Sequence, residues 1–223
     1  MTVARSTNEA GATVNARPVL IEPEESTSVM ADIRAAALLL FSEQGFHGTT
    51  IRQIGKGAGV SVALMYHYFG SKHDILVALV NDACDDLINS IAEANATTNL
   101  DPVERLRSLV RAHVTHEATH RRISFVANTE VRSLNEDAKA AFIIKRDFVQ
   151  HQYEEIIMTG IDEGRFAVAH SHETAIALAT MCTAVNTWYN SEGPMTPIEI
   201  AHCYCDIAIR IVGYSPKDTK SRT

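Results

Sequence analysis

The chain has 223 residues, a hydrophobic fraction of 46% and a mean hydropathy of −0.04, values typical of a globular protein. We expect no membrane span and no secretory signal, because neither a run of about 18 apolar residues nor an apolar segment behind the N-terminus occurs. A net charge of −7 excludes a protein that is basic over its whole surface. The four scattered cysteines favour a reducing, cytoplasmic location over a disulfide framework.

Charge is distributed unevenly along the chain. Residues 29–72 carry four Lys and Arg against two Asp and Glu, whereas residues 73–212 carry eleven against twenty. A short basic part followed by a long acidic part indicates two regions with different roles.

The predicted elements are all helices, because no segment alternates apolar and polar residues with a period of two. Residues 1–28 are rich in Thr, Ala, Glu and Ser and predict a flexible arm before the first helix. That helix ends at Gly45, and hydroxyl side chains provide N-caps for the next three helices. We predict helices at about 29–45, 51–58, 62–69, 72–95, 102–119, 121–134, 136–163, 172–189 and 197–212, followed by a polar tail.

The segment 51–69 has the dimensions of a helix-turn-helix, with Gly59 at the turn. Ile54 in the first helix and Met65 and Phe69 in the second lie on the apolar faces that pack together. The rest of the second helix carries Val and Leu beside Tyr and His, which suits a surface that enters a major groove. An ordinary helical hairpin within a core is the alternative. The sequence GKGAG has neither the spacing nor the preceding strand of a phosphate-binding loop or a dinucleotide-binding turn.

The segment TTIRQIGKGAGVSVALMYHYFGSKHDIL resembles the DNA-binding domain of the TetR family of transcriptional regulators. The similarity covers about residues 29–79 and includes the lead-in LFSEQGFHGTT, the turn AGVS and the helix end YHYF, in the family's order and spacing. The resemblance implies an all-α fold, with an N-terminal three-helix DNA-binding domain with helix-turn-helix plus a larger C-terminal helical ligand-binding and dimerisation domain. We assign the flexible arm to 1–28, these two domains to 29–75 and 76–213, and a flexible tail to 214–223.

The resemblance also assigns DNA-binding roles to nine residues. Two match positions that touch the DNA backbone or an outer base, four match the base-reading end of the recognition helix, and three match phosphate- or backbone-contacting positions. In that order they are Thr50 and Arg52; Ser61, Val62, Ala63 and Leu64; and Tyr66, His67 and Lys72. Because Val62 and Leu64 have no long hydrogen-bond donor, we expect methyl contacts with the bases and no direct guanine readout there.

Gly55 and Gly57 stand in the second helix where the family often has alanine. Each glycine lowers helix stability by about 1 kcal/mol relative to alanine. We therefore expect this helix to depend on DNA or on its neighbours to stay formed.

The larger part suits a helical domain that binds a ligand and dimerises. Its last two helices are apolar on more than one face and rich in alanine, which predicts a dimer interface, with completion of a monomer core as the alternative. Aromatic, methionine and polar side chains between residues 121 and 189 suit a ligand pocket, and surface or dimer contacts are the alternative for the polar ones. The candidate ligand-binding residues are Phe125, Asn128, Arg132, Phe148, Met181, Asn186 and Trp188.

Two features bear on the class of ligand. The sequence TWYN…GPMT near the C-terminus is similar to regulators of the family branch that responds to acyl-CoA thioesters. Five arginines could bind the phosphates of coenzyme A, with solvated arginines on exposed helix faces as the alternative. They are Arg105, Arg107, Arg111, Arg121 and Arg122.

His113, His116 and His120 share one face of a predicted helix, with Glu117 nearby and His151 as a further donor elsewhere. This spacing could bind zinc. It supports an alternative function, an all-α metal-binding or hydrolytic protein that uses the His113/His116/His120 face. Histidines that line a pocket or a solvated face are the other explanation. No G-x-S-x-G sequence indicates a nucleophilic serine, so we expect no enzyme activity and no cofactor.

Together these observations predict a cytoplasmic, homodimeric transcriptional repressor that binds double-stranded operator DNA and has no membrane partner. A small hydrophobic or acyl-CoA-type effector in the larger domain would release it from the operator. A helix-turn-helix adaptor without a ligand is a further alternative, and it predicts a filled core with no cavity.

Overall fold

The computed structural model describes residues 23–96 and 101–214. Within these ranges the chain is helical and no strand occurs, so the predicted all-α fold is confirmed. The helices are α1 (Pro23–Gly48), α2 (Ile51–Gly57), α3 (Val62–Tyr68), α4 (Lys72–Ala96), α5 (Pro102–Thr119), α6 (Arg121–Thr129), α7 (Glu136–Asp162), α8 (Ser171–Thr183), α9 (Val185–Trp188) and α10 (Pro197–Ile211). A 3-10 turn (Glu130–Ser133) follows α6. None of these helices is long and apolar enough to cross a membrane.

The start of α1 differs from the prediction. The helix begins at Pro23, so the last six residues of the predicted arm are helical, and proline suits a first helical turn. The rest of the predicted arm and the tail from residue 215 lie outside the described residues. At the other end, Gly45 has a φ of 76°, so the regular part of α1 ends where the sequence predicts.

Two predicted helices are each divided. The predicted helix 121–134 stops at Thr129 and continues as the 3-10 turn. The side chains of Asn128 and Thr129 bond to carbonyl oxygens one turn back, at 2.8 Å each, and such bonds bend helices. The predicted helix 172–189 breaks at Ala184, whose carbonyl accepts a hydrogen bond from Thr187 Oγ1 at 2.7 Å.

The helices pack around two cores that share α4. The first core contains buried residues of α1 to α3, which we call the head, together with Ile75 and Leu79 of α4 and Phe142 of α7. The second core lies in the body, formed by α5 to α10, and includes Ile91 of α4. The predicted domain boundary after residue 75 therefore lies within a continuous helix and not in a linker. Within the body, α5 lies between α4, α7, α8 and α10.

Local chemistry explains the two short helices of the head. Thr50 caps α2 in a reciprocal pair with Gln53, and Ser61 caps α3 by accepting a hydrogen bond from the amide of Leu64 at 3.1 Å. Gly59 has a φ of 69°, which the turn between them requires. These caps and the turn confirm the helix-turn-helix predicted from the sequence.

Gly55 has a packing role that the sequence did not reveal. It is buried, and a Cβ at this position would lie 3.0 Å from the carbonyl oxygen of Val60 and 3.5 Å from Cγ of Met65. The amide of Val60 donates to the carbonyl of Gly55 at 2.9 Å. The turn therefore approaches α2 closely because residue 55 has no side chain.

Candidate DNA-binding surface and ligand cavity

The predicted recognition helix α3 has one buried and one open side. Met65 is fully buried and Phe69 nearly so, whereas Tyr66, the residue after Met65, keeps 54% of its surface exposed. Six of the nine predicted DNA-binding residues are exposed: Thr50, Arg52, Ser61, Ala63, Tyr66 and His67. The other three, Val62, Leu64 and Lys72, are half-buried. The outward side of α3 is thus free to approach a partner, and its contact with DNA remains a prediction.

The head also presents positive charge beside α3. Arg52 and Lys56 are exposed on α2 and form no ion pair with the residues that the structure describes. The N-terminal ends of α2 and α3 carry the hydroxyl groups of Thr50 and Ser61 next to backbone amides. Free cations and helix N-termini are groups that bind phosphate oxygens.

Two of the three hydrogen-bond donors of Lys72 are used within the protein. Its ammonium donates hydrogen bonds to the carbonyl oxygens of Phe46 at 2.6 Å and Thr49 at 2.7 Å, and it lies 4.1 Å from the centre of the Phe46 ring. Partial burial lowers the pKa of Lys72, while the negative charge of Glu130 raises it. Lys72 thus fixes the turn between α1 and α2. One of its three N–H donors is left for the predicted contact with the DNA backbone.

A cavity of about 470 Å³ lies in the body, between α4, α5, α6, α7 and α8. Its size falls in the range of small-molecule sites. Its apolar lining residues are Ala83, Cys84, Leu87, Ala127, Phe142, Val149, Ile176, Ala179 and Ala184. Its polar lining residues are His113, Glu117, Ser124, Asn128, Lys145, Arg146, Gln150, Thr180 and Thr183. A helix-turn-helix adaptor without a ligand would have a filled core, so the cavity argues against that alternative.

The predicted ligand-binding residues are only partly brought together. Asn128 lines the cavity, and Asn186 is buried just behind the wall, where its amide donates to Oε2 of Glu117 at 2.7 Å. The other five, Phe125, Arg132, Phe148, Met181 and Trp188, are not among the lining residues. Trp188 instead stacks on Tyr204 of α10, with ring centres 6.3 Å apart. Helices that are apolar on several sides do not reveal which side faces a cavity.

The polar side of the cavity is built around His113 and Glu117, which the sequence analysis considered as metal ligands, with a pocket-lining role for the histidines as the other explanation. His113 Nδ1 lies 3.0 Å from the hydroxyl of Tyr153, and His113 Nε2 lies 3.2 Å from Oγ1 of Thr183. Glu117 Oε1 is 3.8 Å from His113 Nε2. In the sequence, His113 and Glu117 stand out as polar residues within the apolar stripe of α5. Only the fold shows that they line a cavity.

Burial decides the charge state of this pair. It lowers the pKa of His113 to about 3, with a smaller effect from His116. It raises the pKa of Glu117 to about 7, against hydrogen bonds from Asn186 and Ser124 that lower it. His113 is therefore neutral at physiological pH and Glu117 is partly protonated. Because Glu117 ionises only at pH values where His113 is already neutral, the two do not form an ion pair at any pH.

The predicted metal-binding face does not form. His113 points towards α7 and α8, whereas His116 Nδ1 lies 3.4 Å from the hydroxyl of Ser90 on α4. His120 follows the last residue of α5 and its ring lies 4.5 Å from that of His116, away from His113, while His151 is exposed on α7. No group of three or more His, Cys, Asp or Glu side chains in the described ranges is arranged to hold a metal ion.

The five arginines do not form one anion site. Arg105 pairs with Glu155 at 3.1 Å, Arg107 pairs with Asp206 at 3.2 Å, and Arg121 donates to the carbonyl of Asn186 at 3.0 Å. Arg111 and Arg122 are exposed. None of the five lines the cavity. Of the two interpretations, a joint site for coenzyme A phosphates and solvated arginines on exposed helix faces, the three separate contacts and two exposed side chains favour the second.

A set of hydrogen bonds joins the head to the body directly after α6. Glu130 Oε1 accepts from the amide of Phe46 at 3.0 Å, and Ser133 Oγ lies 3.3 Å from Nε2 of His47. Beyond the 3-10 turn, the amide of Asn135 donates to a ring nitrogen of His73, at the start of α4 and next to the head, at 3.0 Å. We call these contacts the head–body joint. The same segment that precedes the joint, α6, forms part of the cavity wall.

Two family models match the chain. The model described as "Bacterial regulatory proteins, tetR family" matches residues 33–79, and "Tetracyclin repressor-like, C-terminal domain" matches residues 99–212, about half of the chain. Among curated relatives, the HTH-type transcriptional repressor KstR2 of Mycobacterium tuberculosis is 27% identical over 176 residues, 78% of this chain and 87% of that protein. The HTH-type transcriptional regulator HbdR of Aromatoleum sp. is 35% identical over 124 residues, 55% of this chain and 53% of that protein.

Solved structures show the same architecture. A bacterial regulatory protein of the tetR family from Rhodococcus RHA1 has a TM-score of 0.80 at 28% identity, over 84% of this chain and 98% of that chain. AibR in complex with isovaleryl coenzyme A and operator DNA has a TM-score of 0.72 over 80% of this chain and 97% of that chain; its 20% identity supports likeness of fold alone. The chain therefore belongs to the TetR family of bacterial regulatory proteins and is a helix-turn-helix transcriptional regulator.

Proposed function

We propose that this protein is a repressor that binds its operator as a homodimer and leaves it when a small hydrophobic or acyl-CoA-type ligand occupies the cavity. The main support for the proposal is that α6 both lines the cavity and leads into the turn that is bonded to the head. Ser124, Ala127 and Asn128 of α6 line the cavity, and the 3-10 turn that follows α6 is bonded to the head. A ligand that favours a displaced head must lower operator affinity, because the two binding events are thermodynamically linked.

The exposed side of α3 supports DNA binding. Two copies of α3 would enter successive major grooves of a roughly palindromic site. In this arrangement Val62 and Leu64 would meet base methyl groups, and Tyr66 would meet a phosphate. Arg52 adds a cation that has no partner among the described residues. Operator affinity should therefore fall as salt rises.

The outer sides of α8 and α10 support dimerisation. Ile198, Ile207 and Ile211 on α10 are large apolar side chains that remain exposed in a single chain, and Ile176 on α8, also exposed, borders the cavity. Burying such side chains against a second copy is favourable. We propose that α8 and α10 pair with the same helices of the partner to form a four-helix interface.

The cavity supports an apolar ligand with a few polar groups. About half of its lining side chains are apolar, and the polar ones include a buried histidine and carboxyl group. A cavity of about 470 Å³ accommodates a fatty acyl chain or a small ring system. In an acyl-CoA thioester the acyl part would enter, while the larger nucleotide part would extend outside.

Footprinting on DNA next to the protein's own gene, with and without acyl-CoA thioesters and fatty acids, tests the proposal. We expect protection of a roughly palindromic site that disappears when an effector is added. Arg52→Ala should weaken binding and reduce the slope of log affinity against log salt by about 1.8, because each of the two subunits loses one phosphate contact worth about 0.9. Arg122→Ala, which removes an exposed arginine on α6, is the matched control. Protection that no cavity ligand alters would contradict the release mechanism.

A further inference from the structure

Lys145 of α7 takes part both in the cavity wall and in an ion pair with α4. It lines the cavity, and its ammonium also lies 2.8 and 2.9 Å from the two carboxylate oxygens of Asp85 and 3.0 Å from the side-chain oxygen of Asn81. Asp85 and Asn81 both lie on α4. The ammonium therefore joins α7 to α4, and the residue that carries it lines the cavity.

The helix that Lys145 holds also carries the head. Leu79 and Val80, directly before Asn81, are buried in the core shared with α1 to α3. Asp85 lies little more than one turn further along α4. A change in the hold of Lys145 on α4 would act on the helix that positions the head.

The described cavity lining carries two cationic side chains and one carboxyl group. Among the described lining residues the cations are Lys145 and Arg146, and Glu117 is the acidic one. Glu117 already accepts a hydrogen bond from Asn186 and is buried on the polar side formed by α5. Arg146 pairs with its own neighbour Asp147 at 3.1 Å, so displacing it would not free another helix. Lys145 is the cation whose partner lies on a different element.

We propose that the effector of this protein carries an anionic group, a carboxylate or a phosphate, that binds Lys145 in place of Asp85 and so releases α4 from α7. This inference rests on the proposed function, since it names the ligand class and the regulation of the same cavity. The exchange is feasible because the carboxylate of Asp85 is 56% exposed and is hydrated once it is free. Partly exposed ion pairs contribute little net stability, so a better-placed anion can replace one.

Matched ligands test the charge requirement without DNA. We would measure the binding of decanoate, decyl phosphate, decanol and decylamine by isothermal titration calorimetry. We expect at least one of the two anions to bind about tenfold more tightly than decanol, a difference of about 1.4 kcal/mol, and decylamine to bind most weakly. The better of the two anions identifies carboxylate or phosphate as the group. Equal affinities for all four, no detectable binding of either anion, or a preference for decylamine would overturn the proposal.

Two substitutions should change the affinity for the preferred anion in opposite directions. Lys145→Met should abolish its preference over decanol, and Lys145→Arg should restore much of it. Asp85→Asn should tighten anion binding several-fold, because the competing carboxylate is gone. Glu155→Gln is the control, since it opens the Arg105–Glu155 pair, which has similar exposure (26% and 62%, against 24% and 56%) but lies away from the cavity. If Asp85→Asn and Glu155→Gln bind the anion equally, competition for Lys145 is wrong.

The effect of releasing α4 on DNA binding is measured separately. Asp85→Asn should lower operator affinity in the absence of ligand, because it loosens α4 as the effector would. Unchanged operator affinity in Asp85→Asn would overturn the release of α4. A wild-type protein that prefers anions but protects no DNA would instead contradict the proposed repressor function and leave the anion site standing.

Discussion

Glu130 accepts a hydrogen bond from the backbone amide of Phe46 at 3.0 Å, although the two residues are 84 positions apart in the chain. The other carboxylate oxygen of Glu130 accepts from the hydroxyl of Ser133 at 2.9 Å, which holds the side chain in place. Because Glu130 follows α6 directly, this single contact ties the end of the cavity wall to the turn before α2.

Glu130→Ala should therefore destabilise the protein by about 1 to 3 kcal/mol, since the half-buried amide of Phe46 loses its acceptor. Urea unfolding monitored by circular dichroism measures the change. Glu43→Ala, which removes an exposed carboxylate from α1, should change stability by less than about 0.5 kcal/mol. Equal effects of the two substitutions would mean that the Glu130 contact does not stabilise the head–body joint.

The carboxyl group of Glu117 should make stability depend on pH in an unusual direction. Its pKa is about 7 in the folded protein, above its ordinary value of 4.5, so between these pH values the folded state holds a proton that the unfolded state has lost. Stability from this group is therefore present below pH 4.5 and falls as the pH rises to about 7. The free energy of unfolding of the wild type relative to Glu117→Gln should decrease by up to about 3 kcal/mol across this window.

The comparison with Glu117→Gln matters because histidines act in the opposite direction. Burial lowers the pKa of His113 to about 3 and that of His116 to about 4. The stability that these two neutral side chains contribute to the fold is therefore lost as the pH falls below about 6.5. Both are present in the two variants, and their contribution cancels in the difference. A difference that is flat between pH 4.5 and 7 would show that Glu117 is ionised throughout.

Gly55→Ala should destabilise the head although alanine favours helices. The new methyl group would lie 3.0 Å from the carbonyl oxygen of Val60, so the turn would have to move. We expect a net loss of about 1 kcal/mol or more, because overpacking outweighs the gain in helix propensity. Gly48→Ala is the control, since its nearest contact would be an ordinary 3.6 Å to Gln44. Differential scanning calorimetry compares the two, and a higher Tm for Gly55→Ala would refute the close approach.

Lys72→Met should lower the stability of the DNA-free protein by about 1 to 3 kcal/mol. The carbonyl oxygens of Phe46 and Thr49 would lose a shared donor in a partly buried turn. A lysine that served only to contact a DNA phosphate would leave this value unchanged. Lys56→Met, at an exposed position of α2, separates loss of charge from loss of these internal bonds, and urea unfolding without DNA measures both.

The sequence was most informative where the structure depends on neighbouring residues. Thr50 and Ser61 cap helices as predicted, and Gly45 ends the regular part of α1, because caps and turns are decided within a few positions. Helix limits were less predictable at Thr129 and Ala184. There the helical pattern continues, while side-chain bonds to the backbone interrupt the helix.

By itself, the sequence determined the order of the helices, the apolar side of each head helix and the family, because periodicity, caps and the head motif are local properties of the chain. The tertiary structure alone decided that His113, Glu117 and Lys145 face one cavity, that Phe148 and Trp188 do not line it, and that Lys72 is bonded inside the head. These outcomes depend on how five helices are rotated against one another. A helix with apolar residues on several sides can be rotated in more than one way, and the packing of its neighbours selects among them.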